Sequence, residues 1–443
     1  FNGDGDFDDD LERIVVTDSA FVSGTHVLNV TTPAFITDTL YARFRIADNP
    51  GEASEPTGSA QSGEVEDYVL MSIGNTVWLD NGEGGGTADN GILDGGEQGI
   101  PGVTVELYRS GDTPGVDTPI GTTTTDADGH YHFSGLQPGD YIVHIPAENF
   151  DEPTDPLYAH LSSSGAGTAN ADADETVDEN GIDDSEPMIN GITSGVVTLD
   201  INSEPTDDGD GANGNQTIDF GFLTYDRGDL PVNYPTLVDD NGASHVISPD
   251  LYFGSQVDAE NDGQPDINAG LGSNSDGDDQ LDGNDDEDGI VFMDALMPNS
   301  SATISMTAYV TPGLTAYYGA FIDFNGDGSF DSSEIFTGTI VDGVNTLAVT
   351  VPGVVTDTIY SRFRIAIDPA EVSVPDGVAL SGEVEDYVLM SLGNQLWYDT
   401  DNSGTYDNGE LPVPAGVTLT LVLSGTDQVV ATTTTDANGQ YLF

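Results

Sequence analysis

The chain of 443 residues has no cysteine and no lysine, and only two tryptophans. Without cysteine there are no disulfide staples and no thiol chemistry, so bracing beyond ordinary packing must come from another source. Without lysine the chain cannot make the Lys–Asn isopeptide bond that locks some β-domains. No apolar run approaches the roughly 18 residues of a membrane-crossing helix, which argues against direct membrane insertion. No Gly-x-Ser-x-Gly, His-Glu-x-x-His or phosphate-loop pattern is present, so nothing points to an enzyme. Positive charge is scarce as well: seven arginines stand against 79 acids, for a formal net charge of −72. Such a surface repels nucleic acid and anionic membranes and attracts cations.

The acids bunch rather than scatter. They concentrate with Gly and Asn at Asp172 to Asp184, Asp207 to Asp210, Asp258 to Asp266 and Asp276 to Asp288. A salt-adapted surface would spread them over exposed positions, whereas bunching in short loops supplies ligands.

Two loops spell out a complete cation cage. Asp323, Asn325, Asp327, Ser329, Asp331 and Glu334 occupy positions 1, 3, 5, 7, 9 and 12 of a twelve-residue loop, with Gly328 at position 6. Asp399, Asp401, Ser403, Thr405, Asp407 and Glu410 repeat the pattern with Gly404. Calcium takes six to eight oxygens, glycine allows the sharp turn, and the last Glu can bind through both oxygens. Calcium is therefore the expected cofactor, in the stapling role that disulfides fill elsewhere.

Three further stretches follow the pattern incompletely. Asp80 begins a longer loop that, aligned from its far end, offers Asn90, Ile92 (through its carbonyl), Asp94 and Glu97; Ala88 falls at position 3, where neighbouring Asp89 is the substitute. Asn2, Asp4, Asp6 and Asp8 match positions 3, 5, 7 and 9 of another loop, with Leu11 at position 12. Asp258, Glu260, Asp262, Gln264 and Asp266 form the last candidate, with Ala269 where Glu is needed; an acidic turn explains that stretch equally well.

The chain also repeats itself. Phe1-Asn-Gly-Asp-Gly-Asp returns as Phe324-Asn-Gly-Asp-Gly-Ser, Tyr41-Ala-Arg-Phe-Arg-Ile-Ala as Tyr360-Ser-Arg-Phe-Arg-Ile-Ala, and Gly63-Glu-Val-Glu-Asp-Tyr from Gly382, a period of about 320 residues. Thr122-Thr-Thr-Thr-Asp-Ala returns from Thr432. Short alternating runs such as Val103, Val105, Leu107 and Tyr141, Val143, Ile145 argue for strands, punctuated by Gly, Pro, Asn and Asp. The expected fold is all-β: tandem antiparallel β-sandwich domains with EF-hand-like calcium loops set between strands instead of helices.

Residues 72–224 resemble the SdrD B-like domain of bacterial surface proteins. The resemblance rests on Gly74-Asn-Thr-Val-Trp-Leu-Asp80, Gly99-Ile-Pro-Gly-Val-Thr-Val, Thr122 to Phe133, and Thr217-Ile-Asp-Phe-Gly-Phe222. Residues 391–443 resemble the N-terminal part of a second copy. Residues 226–390 resemble a complete GEVED domain, ending on Gly382-Glu-Val-Glu-Asp-Tyr387, and residues 1–71 the C-terminal part of another. Together these resemblances imply an extracellular, calcium-loaded structural repeat protein at a cell surface or in a secreted filament. Its partners would be calcium and either further repeats of the same polypeptide or other copies of itself. Both ends fall inside a domain copy, so the expectation is that something else completes them. Two rivals stay open: an adhesin whose calcium-shaped loops hold a glycan or an environmental or host surface, and the non-catalytic region of a larger secreted enzyme.

Other groups have plainer readings. Arg43, Arg45, Arg362 and Arg364 lie at strand spacing, as do Glu64 with Glu66 and Glu383 with Glu385, and an Arg-to-Glu cross-strand network is expected. His130 and His132 share a strand face without a third ligand nearby and read as exposed strand residues. Asn29, Asn215 and Asn299 fit the glycosylation sequon.

Overall fold

The structure is a computed structural model of the whole chain. It describes every residue except 1–5, 8–11, 15–23, 31–38, 152–153, 164–177, 183, 185–186, 207, 209–210, 258, 261, 268, 270–285, 408, 423 and 426–428. The α-helices among the described residues are two four-residue turns, Pro50–Ala53 and Pro187–Asn190; apart from three 3-10 turns, Glu83–Gly85, Ala147–Asn149 and Val238–Asp240, the remainder is strand and loop, as expected of an all-β chain. Two compact units emerge: Phe1–Asp80 with Asp89–Leu223, and Asn81–Ala88 with Thr224–Phe443.

The first unit is organised along the 16-residue strand Glu64–Leu79. Its first half pairs antiparallel with Leu40–Ile46, placing Arg43 opposite Asp67. Its second half takes His130–Leu136 antiparallel and Phe220–Phe222 parallel. That parallel closure departs from the purely antiparallel expectation. A parallel pair needs a long crossover, and the whole second sheet lies between Asp80 and Asp219 to provide it. The second sheet runs Gly121–Thr124, Thr104–Arg109, Gly139–Ile145, Ile192–Ser194, Gly181–Ile182. Between the sheets, Val105, Leu107, Phe133, Tyr141, Val143 and Phe220 form part of a continuous core.

The second unit holds a sandwich of two four-stranded sheets. One contains Leu251–Phe253, Ser301–Val310, Ile290–Phe292 and Gly343–Thr350; the other runs Ile335–Ile340, Ala316–Asp323, Thr358–Ala366, Glu383–Met390. Period-2 patterning explains the fold locally. Along Ser301–Val310, Ala302, Ile304, Met306, Ala308 and Val310 are buried while the Ser and Thr between them are not. After Met390 come three two-stranded ladders, of which Thr418–Val422 with Val429–Thr434 is the longest.

Candidate metal centres

In the second unit the Ala316–Asp323 strand runs straight into the first acidic loop, so the strand end fixes Asp323, fully buried, as the loop's first residue. One Asp323 oxygen accepts from the Gly326 amide (2.7 Å) and the other from the Gly328 amide (3.0 Å). Glu334 closes the loop: its Oε1 accepts from Phe324 N (2.9 Å) and its Oε2 from Asp331 N (2.9 Å). Between them, Asn325 accepts from Asp327 N and Asp327 from Ser329 N. Burial, with Asp323 also contributing, pushes the Glu334 carboxyl above its ordinary range, whereas the Ser329 hydroxyl pulls Asp327 below it. The Tyr234 hydroxyl donates to Asp323 Oδ2 (2.6 Å), an outer contact that loop spacing gives no hint of.

The Asp399 loop reproduces this network. Gly404 N donates to Asp399 Oδ2 (2.9 Å), Ser403 N to Asp401 (3.0 Å), Thr405 N to Ser403 Oγ (3.2 Å), and Thr400 N and Asp407 N to the two oxygens of Glu410 (2.7 and 3.3 Å). Ligand oxygens of Asp399, Asp401 and Glu410 lie within 4.8 Å of one another. The amides of Gly404 and Ser403 hold Asp399 below the usual carboxylate range.

In the first unit, the longer loop after Asp80 converges on the same geometry despite its extra residues. Gly91 N donates to Asp80 Oδ2 (2.7 Å), Ile92 N to Asn90 Oδ1 (2.8 Å), and Asp94 N to Glu97 Oε2 (3.0 Å). Asp80 is fully buried, and its Oδ1 has no hydrogen-bond donor. Asp89, expected as a stand-in for position 3, occupies position 4, with φ of 53°.

Backbone shape unites the three loops more tightly than the ligand pattern does. Position 4 is left-handed in each (Asp89 φ 53°, Gly326 φ 70°, Asn402 φ 60°), and so is position 6 (Gly91 67°, Gly328 83°, Gly404 74°). Only Gly, Asn and Asp adopt that region readily. The Gly, Asn and Asp aligned at position 4 were thus a readable signal alongside the ligands. The residue types fit calcium: each loop carries hard oxygen donors, those of Asp399, Asp401 and Glu410 converge, and the Asp80 loop leaves one buried carboxylate oxygen without a donor.

The weaker candidates fare differently. Asn2, Asp4 and Asp8 lie outside the described residues, and Asp6 is exposed. Asp258 also lies outside them. Of its neighbours, Asp262 Oδ1 accepts from Val238 N (2.7 Å), the Asp266 amide donates to the Asp229 carbonyl, and Gln264 is half-buried. Glu260 instead joins two residues distant in sequence, Asp226 and Asp286, with ligand oxygens within 4.8 Å of one another and all three side chains buried. Local spacing carried no sign of that grouping. His130 is exposed beside Asp126, whose Oδ1 accepts from the amides of Asp128 and His130, which is a turn; His132 Nδ1 stands 3.4 Å from Gln216 Nε2.

The expected Arg-to-Glu network is corrected. Arg362 forks onto Asp386 (Nε to Oδ1 2.8 Å, Nη2 to Oδ2 2.7 Å), and Arg43 forks onto Asp67 in the same way. Arg364 donates to the carbonyls of Val374, Asp376 and Gly377 and to His245 Nε2, and burial brings its guanidinium down to about 10. Strand parity decides the pairing: directly opposed residues share a face, and Arg362 opposes Asp386, whereas Glu385 opposes Phe363 and Glu383 opposes Ile365. The two glutamates consequently enter the sandwich interior. Glu385 accepts from the amides of Gly289 (2.8 Å) and Asp288 (3.1 Å) and from the Tyr387 hydroxyl, and burial raises its carboxyl to about 8. Gly382 precedes them at φ +88°, where a Cβ would stand 1.8 Å from the Ile365 carbonyl oxygen.

A tandem of β-sandwiches with acidic loops at strand ends is what the fold and these sites define. Comparison with known proteins agrees: residues 71–182 and 390–443 match the SdrD B-like domain, and residues 1–71 and 317–390 match the GEVED domain. Among curated proteins it is similar to serine-aspartate repeat-containing protein F of Staphylococcus epidermidis, 28% identical over 382 residues that cover 84% of this chain and 16% of that protein. It is also similar to serine-aspartate repeat-containing protein D of Staphylococcus aureus, 26% identical over 455 residues that cover 89% of this chain and 31% of the relative. The chain therefore spans between a sixth and a third of the length of these relatives. Among solved structures it aligns with the full-length major pilin SpaD of Corynebacterium diphtheriae at 10% identity, over 84% of this chain and 80% of the pilin. The TM-score of that alignment is 0.25, a level that defines neither fold nor function.

Proposed function

We propose that this chain is a non-enzymatic, extracellular structural segment of a bacterial surface protein, a stalk, filament or adhesin shaft, braced by calcium in the Asp80, Asp323 and Asp399 loops. The observation that carries the reading is the shared loop scaffold: three loops of different sequence and length hold the same left-handed residues and the same amide-to-carboxylate bonds. The mechanism is electrostatic. Asp323, Asp327, Asp331 and Glu334 crowd like charges into one loop, and a divalent ion would cancel that repulsion while fixing the end of the Ala316–Asp323 strand. Because ligands are gathered only in the folded chain, binding free energy becomes folding free energy. The serine-aspartate repeat relatives support the surface placement.

The test is stiffness. Small-angle scattering of the chain in calcium and in EGTA, at matched ionic strength, is expected to give a narrower size distribution and slower proteolysis with calcium. Indistinguishable profiles and cleavage rates would remove calcium from the role assigned to it. Glycan-array binding by the calcium-loaded chain would instead favour the adhesin reading.

A further inference from the structure

We propose that Asp226, Glu260 and Asp286, with Glu383 beside them, form a buried calcium site inside the GEVED sandwich, separate in kind from the loop sites. It is built from four distant segments of the chain rather than from one contiguous loop.

Two observations support it independently. The first is convergence: carboxylate oxygens of Asp226, Glu260 and Asp286 lie within 4.8 Å of one another, and all three side chains are buried. Ligands on opposite sides of a calcium ion at about 2.4 Å stand about 4.8 Å apart, so a single ion can reach all three. The second is Glu383. Its side chain is fully buried; Oε2 accepts from the Phe253 amide, while Oε1 has no hydrogen-bond donor. The amide of Val384, the next residue, donates to Asp226 Oδ2, which brings Glu383 alongside the cluster.

Positive charge near the cluster is limited. Arg362 is forked onto Asp386, and Arg364 donates to three carbonyls and His245. Arg227 donates to the Glu260 carbonyl and to Ser244 Oγ, so one guanidinium borders several buried carboxylates. Buried carboxylates that outnumber the countercharges beside them are costly, and a cation or protons offset the remainder. The donor set is wholly carboxylate, which selects a hard ion over zinc or copper. Magnesium is reluctant to shed its waters and usually binds through one or two carboxylates; three or four protein carboxylates favour calcium. The ion would tie the Phe220–Arg227 strand, Glu260, Asp286 and the start of the Glu383–Met390 strand, a cross-link in a chain without cysteine. It would also give the first Glu of the Gly-Glu-Val-Glu-Asp-Tyr motif a role separate from those of its neighbours.

The test uses the full chain with calcium alone as the probe. Six substitutions, Asp80→Asn, Glu97→Gln, Asp323→Asn, Glu334→Gln, Asp399→Asn and Glu410→Gln, disable the loops. Equilibrium dialysis after EGTA stripping is expected to show one calcium still bound, and adding Asp286→Asn and Glu383→Gln to abolish it. A folded loop-disabled chain that binds no calcium, or one whose binding the added pair leaves unchanged, overturns the proposal. Should the loop-disabled chain not fold, the unsubstituted chain crystallised with calcium decides: an anomalous peak about 2.3–2.6 Å from Asp226, Glu260 and Asp286 oxygens is expected, and its absence overturns the site. Equal retention of magnesium alone would refute the calcium assignment. Loop sites failing while this one survives, or the reverse, separates this inference from the proposed function.

Discussion

Replacing Asp386 by Ala isolates the strongest charge pair in the second unit. Asp386 and Arg362 are both fully buried, and the carboxylate accepts four hydrogen bonds: two from Arg362 and one each from the amides of Asp229 (2.7 Å) and Leu230 (2.9 Å). Truncation strands a guanidinium in the interior together with two amides. Removing one partner of a buried pair costs about 3–5 kcal/mol. At about 2–4 °C per kcal/mol for a unit of this size, the calorimetric midpoint should fall by roughly 6–20 °C. The molecule supplies its own control, because Arg43 and Asp67 make the same fork on the surface, with 34% and 56% of their side chains exposed. There solvent already screens the pair, and Asp67→Ala should leave the midpoint unmoved. Replacing both buried partners, Arg362→Met with Asp386→Leu, should restore part of the loss while the two orphaned amides retain a penalty. A change within 0.5 kcal/mol for Asp386→Ala, or equal shifts for the buried and surface copies, would refute the reasoning.

Gly382→Ala, at φ +88° with a carbonyl 1.8 Å from the new Cβ, should cost more than about 2 kcal/mol and be visible in urea titration. Glu410→Gln should weaken calcium binding at the Asp399 loop by at least about tenfold, or about 1.4 kcal/mol, in competition with a chelating dye. Acidification should destabilise the first unit even in EGTA. Burial holds His144 and His160 below their ordinary pKa, so on acidification the unfolded chain takes up protons first, and stability is lost as pH falls below about 6.5. His144→Gln with His160→Gln should flatten that slope in melts run between about pH 7 and 5.5.

How much of this was legible in sequence depends on whether the information is local. Strand alternation along Ser301–Val310, and the loops at Asp323 and Asp399, are set by neighbours within a dozen residues, and in the second of these loops ligand oxygens of Asp399, Asp401 and Glu410 lie within 4.8 Å of one another. The position-4 turns at Asp89, Gly326 and Asn402 are equally local. What the sequence did not reveal depends on pairing across the chain. Whether Arg362 meets Glu385 or Asp386 turns on a one-residue register, and such a shift exchanges the two faces of a strand. Parallel closure by Phe220–Phe222 and the meeting of Asp226, Glu260 and Asp286 both join segments far apart in the chain, and no spacing rule reaches that far.

Differential scanning calorimetry of the chain in free calcium and in EGTA, at equal ionic strength, tests the central claim most directly. Ligand at about one hundred times its dissociation constant adds about 2.7 kcal/mol per site. With the three loops occupied, the midpoint should therefore rise by many degrees in calcium, and by a clearly smaller amount, set by the buried Asp226 site alone, when Asp80, Asp323 and Asp399 are each replaced by Asn. Superimposed melting curves for the unsubstituted chain would contradict the account.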